Sequence, residues 1–214
     1  MDMLPKNRKL PGKREQNRIR NRKAILNAAR ECFSELGYDN ATIRDIIKRT
    51  GLAAGTFYNY FSSKQDIFVA LLTDFLTQMN QDLTKSRRSA GTTNEFIHSA
   101  YLALYSATAR DPLIYELAHR NDQALQKLFG SGLLRLSMLS LEADVQEAKE
   151  RGLLPDIDTE YLCAAFFGVA YELSLKVARR AHQKPESADT EAHRAARFST
   201  ALFLGGIPEL TKVS

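Results

Sequence analysis

The 214-residue sequence has no tryptophan, only two cysteines and six prolines, and no long apolar run. Each shortage excludes something. Two cysteines, Cys32 and Cys163, can build neither a disulfide scaffold nor a cysteine-rich zinc site. Both sit among apolar neighbours at helical spacing and read as small core residues in a reducing compartment. The longest apolar stretch, "LCAAFFGVA" from Leu162, falls short of the roughly 20 residues of a membrane helix. The basic N-terminus lacks the apolar segment of a secretory signal. A cytoplasmic protein with no membrane partner is therefore expected. The four histidines are scattered, no array of paired carboxylates appears, and no metal-ligand spacing is found, so neither an enzyme, a metal nor a cofactor is expected.

What the chain does have is charge separated along its length. Residues 1–88 hold 17 Lys/Arg against 9 Asp/Glu, a net of +8, whereas residues 89–214 hold 13 against 16, a net of −3. A basic front and a mildly acidic back point to a polyanion that meets only the front. Hydrophobic residues at 44% are enough for a buried core.

No window alternates apolar and polar residues with period two, so the chain should be all helical. Residues 1–17 read as a flexible basic arm. Ile25, Ala28, Ala29, Cys32, Phe33 and Leu36 recur at three- and four-residue steps and predict a first helix over about 18–36, closed by Gly37. Thr42 with Asp45 makes a reciprocal cap for a second helix carrying Ile43, Ile46 and Ile47, ending near Gly51. A short third helix over about 53–60 completes a helix-turn-helix domain, residues 18–62. A connecting helix over 63–85 opens on a Ser63–Asp66 cap. The polar stretch "SRRSAGTTN", 86–94, reads as a loop. Beyond it, residues 86–207 form a larger helical domain with helices over about 93–109, 112–119, 122–151, 159–182 and 190–204. The last is ended by Gly205, Gly206 and Pro208, and 208–214 is a tail.

The stretch "GLAAGTFYNYFSSKQDIF" interleaves small, aromatic and polar side chains as a DNA-reading helix requires. Ala53, Ala54 and Gly55 permit close approach to a major groove. Thr56 and Asn59 can hydrogen-bond base edges, and Tyr58 and Tyr60 can reach phosphates. Phe57 and Phe61, four apart, anchor the helix to its own core. Thr42, Arg44 and Lys64, at helix starts, suit phosphates, and Arg14, Arg18, Arg20, Arg22 and Lys23 supply cations from the arm.

The segment Ile25–Leu72 resembles the N-terminal module of the TetR family of bacterial transcriptional regulators. Ala28, Ala29, Phe33, Gly37, Tyr38, Thr42, Ile43, Ile46, Gly51, Gly55, Tyr58, Phe61 and Lys64 all fall in register. The resemblance implies a homodimer that binds a palindromic double-stranded DNA operator, with a helical C-terminal domain that takes a small-molecule effector. Most members repress and leave DNA when the effector binds. Ala53 and Ala54 stand where members often carry serine and then a cation, and Tyr60 stands where histidine is common.

For the C-terminal domain, the expected dimer seam comprises Leu162, Ala165, Phe166, Val169, Leu173, Phe198, Ala201 and Leu202, with Ala164 and Gly168 permitting close approach. The expected effector pocket, suited to a fairly apolar molecule, draws on Phe96, Tyr101, Leu104, Tyr105, Leu117, Leu134, Met138, Phe167 and Tyr171. The alternative reading is a DNA-binding dimer without a small-molecule effector, controlled by a protein partner or by abundance.

Overall fold

The computed structural model describes residues 12–120 and 132–210, with the side chains of 132–139 and 207–210 outside that description. The described residues are helical, with no strand among them. Helix α1 spans Lys13–Leu36, α2 Ile43–Thr50, α3 Ala54–Tyr58 and α4 Lys64–Ser89. They are followed by α5 Thr93–Arg110, α6 Pro112–Arg120, α7 Gly132–Glu150, α8 Thr159–Gln183 and α9 Ala188–Leu210. Packing divides the chain within α4, into unit 1 (Met1–Leu71) and unit 2 (Leu72–Ser214).

The caps that set these boundaries are local. Gly37 takes φ 77° and returns its N–H to Phe33 O, ending α1, and Gly51 takes the left-handed φ 66° that turns α2 toward α3. At α2 the Asp45 N–H reaches Thr42 Oγ1 at 3.2 Å while the Thr42 N–H reaches Asp45 Oδ2 at 3.1 Å. At α4 the Asp66 N–H donates to Ser63 Oγ at 3.0 Å, and the Asp66 carboxylate accepts from the Ser62 and Ser63 N–H groups at 3.2 and 3.1 Å. Asp158 caps α8 by accepting from the Tyr161 N–H at 3.0 Å.

Four boundaries depart from the sequence reading. First, α1 begins at Lys13, five residues earlier than expected, so Arg14 lies on a helix rather than on a flexible arm; residues 1–11 lie outside the described residues. Lys, Arg, Glu and Gln are good helix formers, and a basic polar composition does not by itself mean coil. Second, α3 is shorter than expected, five residues from Ala54 to Tyr58. Third, α4 runs to Ser89, into what read as a loop, and leaves only 90–92 outside helix before α5. Its Arg87 is buried, and Arg87 Nε donates to Asp144 Oδ2 of α7 at 2.7 Å. The Arg151 guanidinium closes the end of α4 by donating to Arg88 O at 3.1 Å and to Ala90 O. Fourth, α9 continues through Gly205, Gly206 and Pro208 to Leu210.

Unit 1 has a small core of Ile25, Ala29, Cys32, Phe33, Ile46, Phe57, Ile67 and Leu71, none of them measurably exposed. Unit 2 packs α5 against α8 and α9, and α8 against α6 and α7. At its centre, the Tyr101 ring stacks on Tyr105 and on Phe203, and Phe166 meets Phe203 edge-on at 4.4 Å. By length and composition α8 could cross a membrane, with mean hydropathy 1.3 over an 18-residue stretch, more than the short apolar run suggested. Its Leu162, Cys163, Phe166, Ser174, Leu175, Val177 and Ala178 are buried in unit 2. Burial raises the Cys32 thiol above its ordinary value and pushes Cys163 up to about 11. Both stay thiols near neutrality, as small core residues should.

Candidate nucleic-acid interface

Helix α3 is too short to hold itself in water, where even good sequences need about 12–15 residues. Unit 1 supplies what is missing. Phe57 is fully buried and Phe61 nearly so. The Tyr58 ring stands edge-on to Phe57 at 5.6 Å and remains 55% exposed. With one face of α3 anchored, Ala53, Ala54, Gly55, Tyr58 and Asn59 are exposed, and Thr56 and Tyr60 are half-buried. The seven residues expected to read DNA thus lie on one short segment held by two aromatic anchors.

A Cβ built on Gly55 would meet nothing within 4 Å, and its φ is outside the left-handed region. The fold therefore does not itself require glycine there. Bare backbone at an exposed helix start suits close approach by something outside the chain.

The cations are less uniform than the sequence suggested. Arg14, Arg18, Arg20, Arg22 and Lys23 are all exposed. Because α1 is helical, Arg14, Arg18 and Arg22 recur every four residues along one stripe, while Arg20 and Lys23 lie round the other side. Arg18 also approaches Glu15 at 3.8 Å. On α2 Arg44 is exposed, whereas Arg49 is tied to Glu35 at 2.5 Å and 3.0 Å.

Lys64 needs a correction. Expected to meet a phosphate, it spends its three N–H groups on the carbonyls of Tyr38, Asp39 and Ala41, at 2.7, 3.1 and 3.0 Å. Its ammonium also sits 4.6 Å from the centroid of the Tyr38 ring. Lys64 therefore fastens the α1–α2 connection to α4. The helix starts behind Thr42 and Lys64 differ from open anion sites for a second reason. The Asp45 carboxylate accepts from the Thr42 N–H and the Asp66 carboxylate from the Ser62 and Ser63 N–H groups, so a negative charge already stands at each start, and hydroxyl donation from Thr42 and Ser62 holds both carboxyls below their ordinary value. Arg151, which caps α4, went unnoticed in the sequence because its partners lie about 60 residues away.

The geometry of unit 1 is that of a known module. Residues 25–71 match the family described as bacterial regulatory proteins, tetR family. The N-terminal unit belongs to the TetR family. Its curated relatives include the uncharacterized HTH-type transcriptional regulator YvdT of Bacillus subtilis, 53% identical over 53 residues, which is 25% of this chain and 27% of the relative. They also include the transcriptional repressor AcnR of Corynebacterium efficiens, 32% identical over 68 residues, 32% of this chain and 36% of the relative. These matches span about a third of the relatives' own length. Over 83% of this chain and 97% of the other, the fold is similar to that of the solved FadR of Bacillus subtilis in complex with stearoyl-CoA, with TM-score 0.65 and 19% identity.

Unit 2 carries the remaining expected sites. Of the seam residues, Leu162 and Phe166 belong to the intrachain core, a correction that follows from the packing of Phe166 against Tyr101 and Phe203. Val169 and Leu173 are half-buried and Ala165 and Ala201 exposed, while Phe198 and Leu202 are 60% and 50% exposed. Tyr161, which the sequence reading passed over, is 77% exposed on the same stripe of α8 as Ala164, Ala165 and Gly168. Its three- and four-residue spacing to them was the available signal. Of the pocket residues, Phe96, Tyr101, Leu104, Tyr105 and Leu117 are buried. Phe167 and Tyr171 are half-buried and stacked at 5.9 Å. Tyr171 also stacks on His119. Leu134 and Met138 lie among side chains outside the described residues. A groove of about 620 Å³ opens elsewhere, lined by Asp82, Lys85, Ser106, Arg110, Glu186 and Asp189 among others. None of the expected pocket residues whose side chains are described lines it.

Proposed function

We propose that the protein is a homodimeric, sequence-specific DNA-binding transcriptional regulator, a repressor released from a palindromic operator by a small, fairly apolar effector. The observation that carries this reading is the exposed, small-residue face of α3, fixed by Phe57 and Phe61 inside a TetR-family unit whose first helix bears a stripe of cations. A groove-reading helix needs a bare surface on a rigid support with positive charge nearby, and unit 1 has all three. Repression is supported by the likeness of this unit to AcnR.

The dimer is supported by the apolar stripes of α8 and α9. Among the described residues of unit 2, Tyr161, Phe198 and Leu202 are the large apolar side chains left exposed, and small residues flank them. Two such helices from each copy make a four-helix seam. Two-fold pairing sets the two α3 segments at a fixed spacing, about 34–36 Å on successive turns of one DNA face. An effector that changes this spacing costs paired contacts, by no more than its differential affinity for the two dimer states.

The effector is supported by the aromatic and hydroxyl content of unit 2 and by the stearoyl-CoA held in a FadR of the same fold. A second reading, regulation without a small molecule, is favoured by the stacking of Tyr101 on Tyr105 and Phe203, with Phe166 edge-on, which reads as filled core. Footprinting on the DNA flanking the gene, repeated with long-chain acyl-CoA and a panel of apolar compounds, separates the two. A protected palindrome that an apolar compound releases supports the first reading. A palindrome that no compound releases supports the second, and absence of any footprint excludes both.

A further inference from the structure

From Gly51 to Ser63 the chain holds no Lys, Arg, His, Asp or Glu. This is an unusual surface for a helix that reads DNA. The commonest specific contact to guanine is an Arg or Lys donating to O6 and N7, and cytosine is read by a carboxylate that accepts from its N4 amine. The exposed face of α3 can make neither. The next cation, Lys64, has its donors committed to the carbonyls of Tyr38, Asp39 and Ala41, and the hydroxyl of Ser62 is committed to Asp66.

Beside the hydroxyls of Thr56, Tyr58 and Tyr60, the face offers methyl groups and one amide. Ala53 and Ala54 are exposed and Thr56 half-buried, and the methyl groups of Ala and Thr pack against the C5-methyl of thymine. Asn59 is exposed at the end of the helix, its backbone N–H returning to Thr56 O at 3.3 Å, so its side-chain amide is not needed for the cap. That amide matches adenine, with Nδ2 donating to N7 and Oδ1 accepting from N6. Gly55, which no packing inside the fold requires, lets these short side chains come close enough to act.

We infer that the base pairs lying under α3 are A·T pairs, recognised through thymine methyl groups by Ala53, Ala54 and Thr56 and through adenine by Asn59. The inference rests on the DNA-binding reading above and adds the base class to it. Arg44, exposed on α2, remains available for a guanine outside those steps.

The test selects bound sequences with the full chain from a library of duplexes randomised over about 30 base pairs, a length that spans two half-sites. Selections with Ala54→Arg and Asn59→Ala locate the steps under α3 as those whose preference changes. Both positions are exposed, so the fold should tolerate the changes, and circular dichroism checks it. The wild-type chain should enrich A·T at those steps, and Ala54→Arg should convert one of them to guanine. Asn59→Ala should reduce discrimination at its adenine by about 5- to 150-fold, the range of one bidentate pair. Replacing thymine by deoxyuridine at those steps should weaken wild-type binding about fourfold per buried methyl. Enrichment of G·C at those steps, or affinity indifferent to deoxyuridine, would overturn the inference and leave the DNA-binding reading intact. Failure to enrich any sequence would overturn that reading, and this inference with it.

Discussion

Lys64 grips the residue whose ring it covers: its ammonium lies 4.6 Å from the Tyr38 ring centroid and donates to the Tyr38 carbonyl at 2.7 Å. Tyr38 in turn packs between Phe33 and Phe68, at 5.1 and 5.3 Å between centroids. One side chain thus joins the end of α1, the start of α2 and the start of α4 into one body. The platform under α3 depends on it.

Lys64→Met should therefore act on folding. Hydrogen bonds to a charged donor are worth roughly 1.5–3 kcal/mol, so unit 1 should lose about 2 kcal/mol in denaturant titration. The slope of log affinity against log salt should stay unchanged. A phosphate contact at Lys64 would instead lower that slope by about 0.9.

Asp144→Ala should be among the costliest single changes in unit 2. Asp144 and Arg87 are buried together, and desolvation outweighs the attraction of Asp144 in lowering the Arg87 pKa below its ordinary value. Removing one partner strands the other charge, at a cost of about 3–5 kcal/mol. Arg88 meets the same carboxylate at 3.4 Å from an exposed position, so Arg88→Ala should cost about 1 kcal/mol or less. Chemical denaturation of the three proteins checks the contrast.

Unit 1 should lose stability in acid through its cap carboxylates. Asp45 and Asp66 are held below their ordinary 3.8 mainly by hydroxyl donors, and Glu35 below its ordinary 4.5 by Arg49. A carboxyl depressed in the folded state contributes stability that is fully present above its unfolded pKa and is lost as pH falls through the folded one. Melting temperature should stay level down to about pH 5 and fall below about pH 4. Asp45→Asn should start lower near neutrality and show a shallower fall.

Phe198→Glu combined with Leu202→Glu should yield a folded monomer. Both side chains are at least half exposed. Sedimentation should show half the wild-type mass at unchanged helical content, since exposed positions away from special features usually shift stability by no more than about 0.5 kcal/mol. DNA affinity should drop sharply, because paired half-sites require paired subunits. A Leu162→Glu change, by contrast, should unfold unit 2, because Leu162 is buried.

Much of this protein could be read from one dimension. The Thr42–Asp45 and Ser63–Asp66 caps, the turns at Gly37 and Gly51 and the paired anchors Phe57 and Phe61 are signals within a few residues of each other, and they were legible for that reason. So was the exposed run of small residues from Ala53 to Gly55, because the neighbouring anchors Phe57 and Phe61 turn that side of the segment outward.

Other features required distant residues to meet. Arg87 looked like loop until Asp144, 57 positions away, accepted its charge. Lys64 looked like a phosphate ligand until three carbonyls over 20 positions upstream accepted its hydrogen bonds. On α8 and α9, apolar periodicity alone could not divide core from seam; packing turned Leu162 and Phe166 inward and left Tyr161, Phe198 and Leu202 in water. Short-range patterning determined the helices, their ends and the surface of α3. Only three-dimensional packing decided which cations are free and which apolar faces are spare, because burial and charge pairing depend on neighbours that the order of residues along the chain does not name.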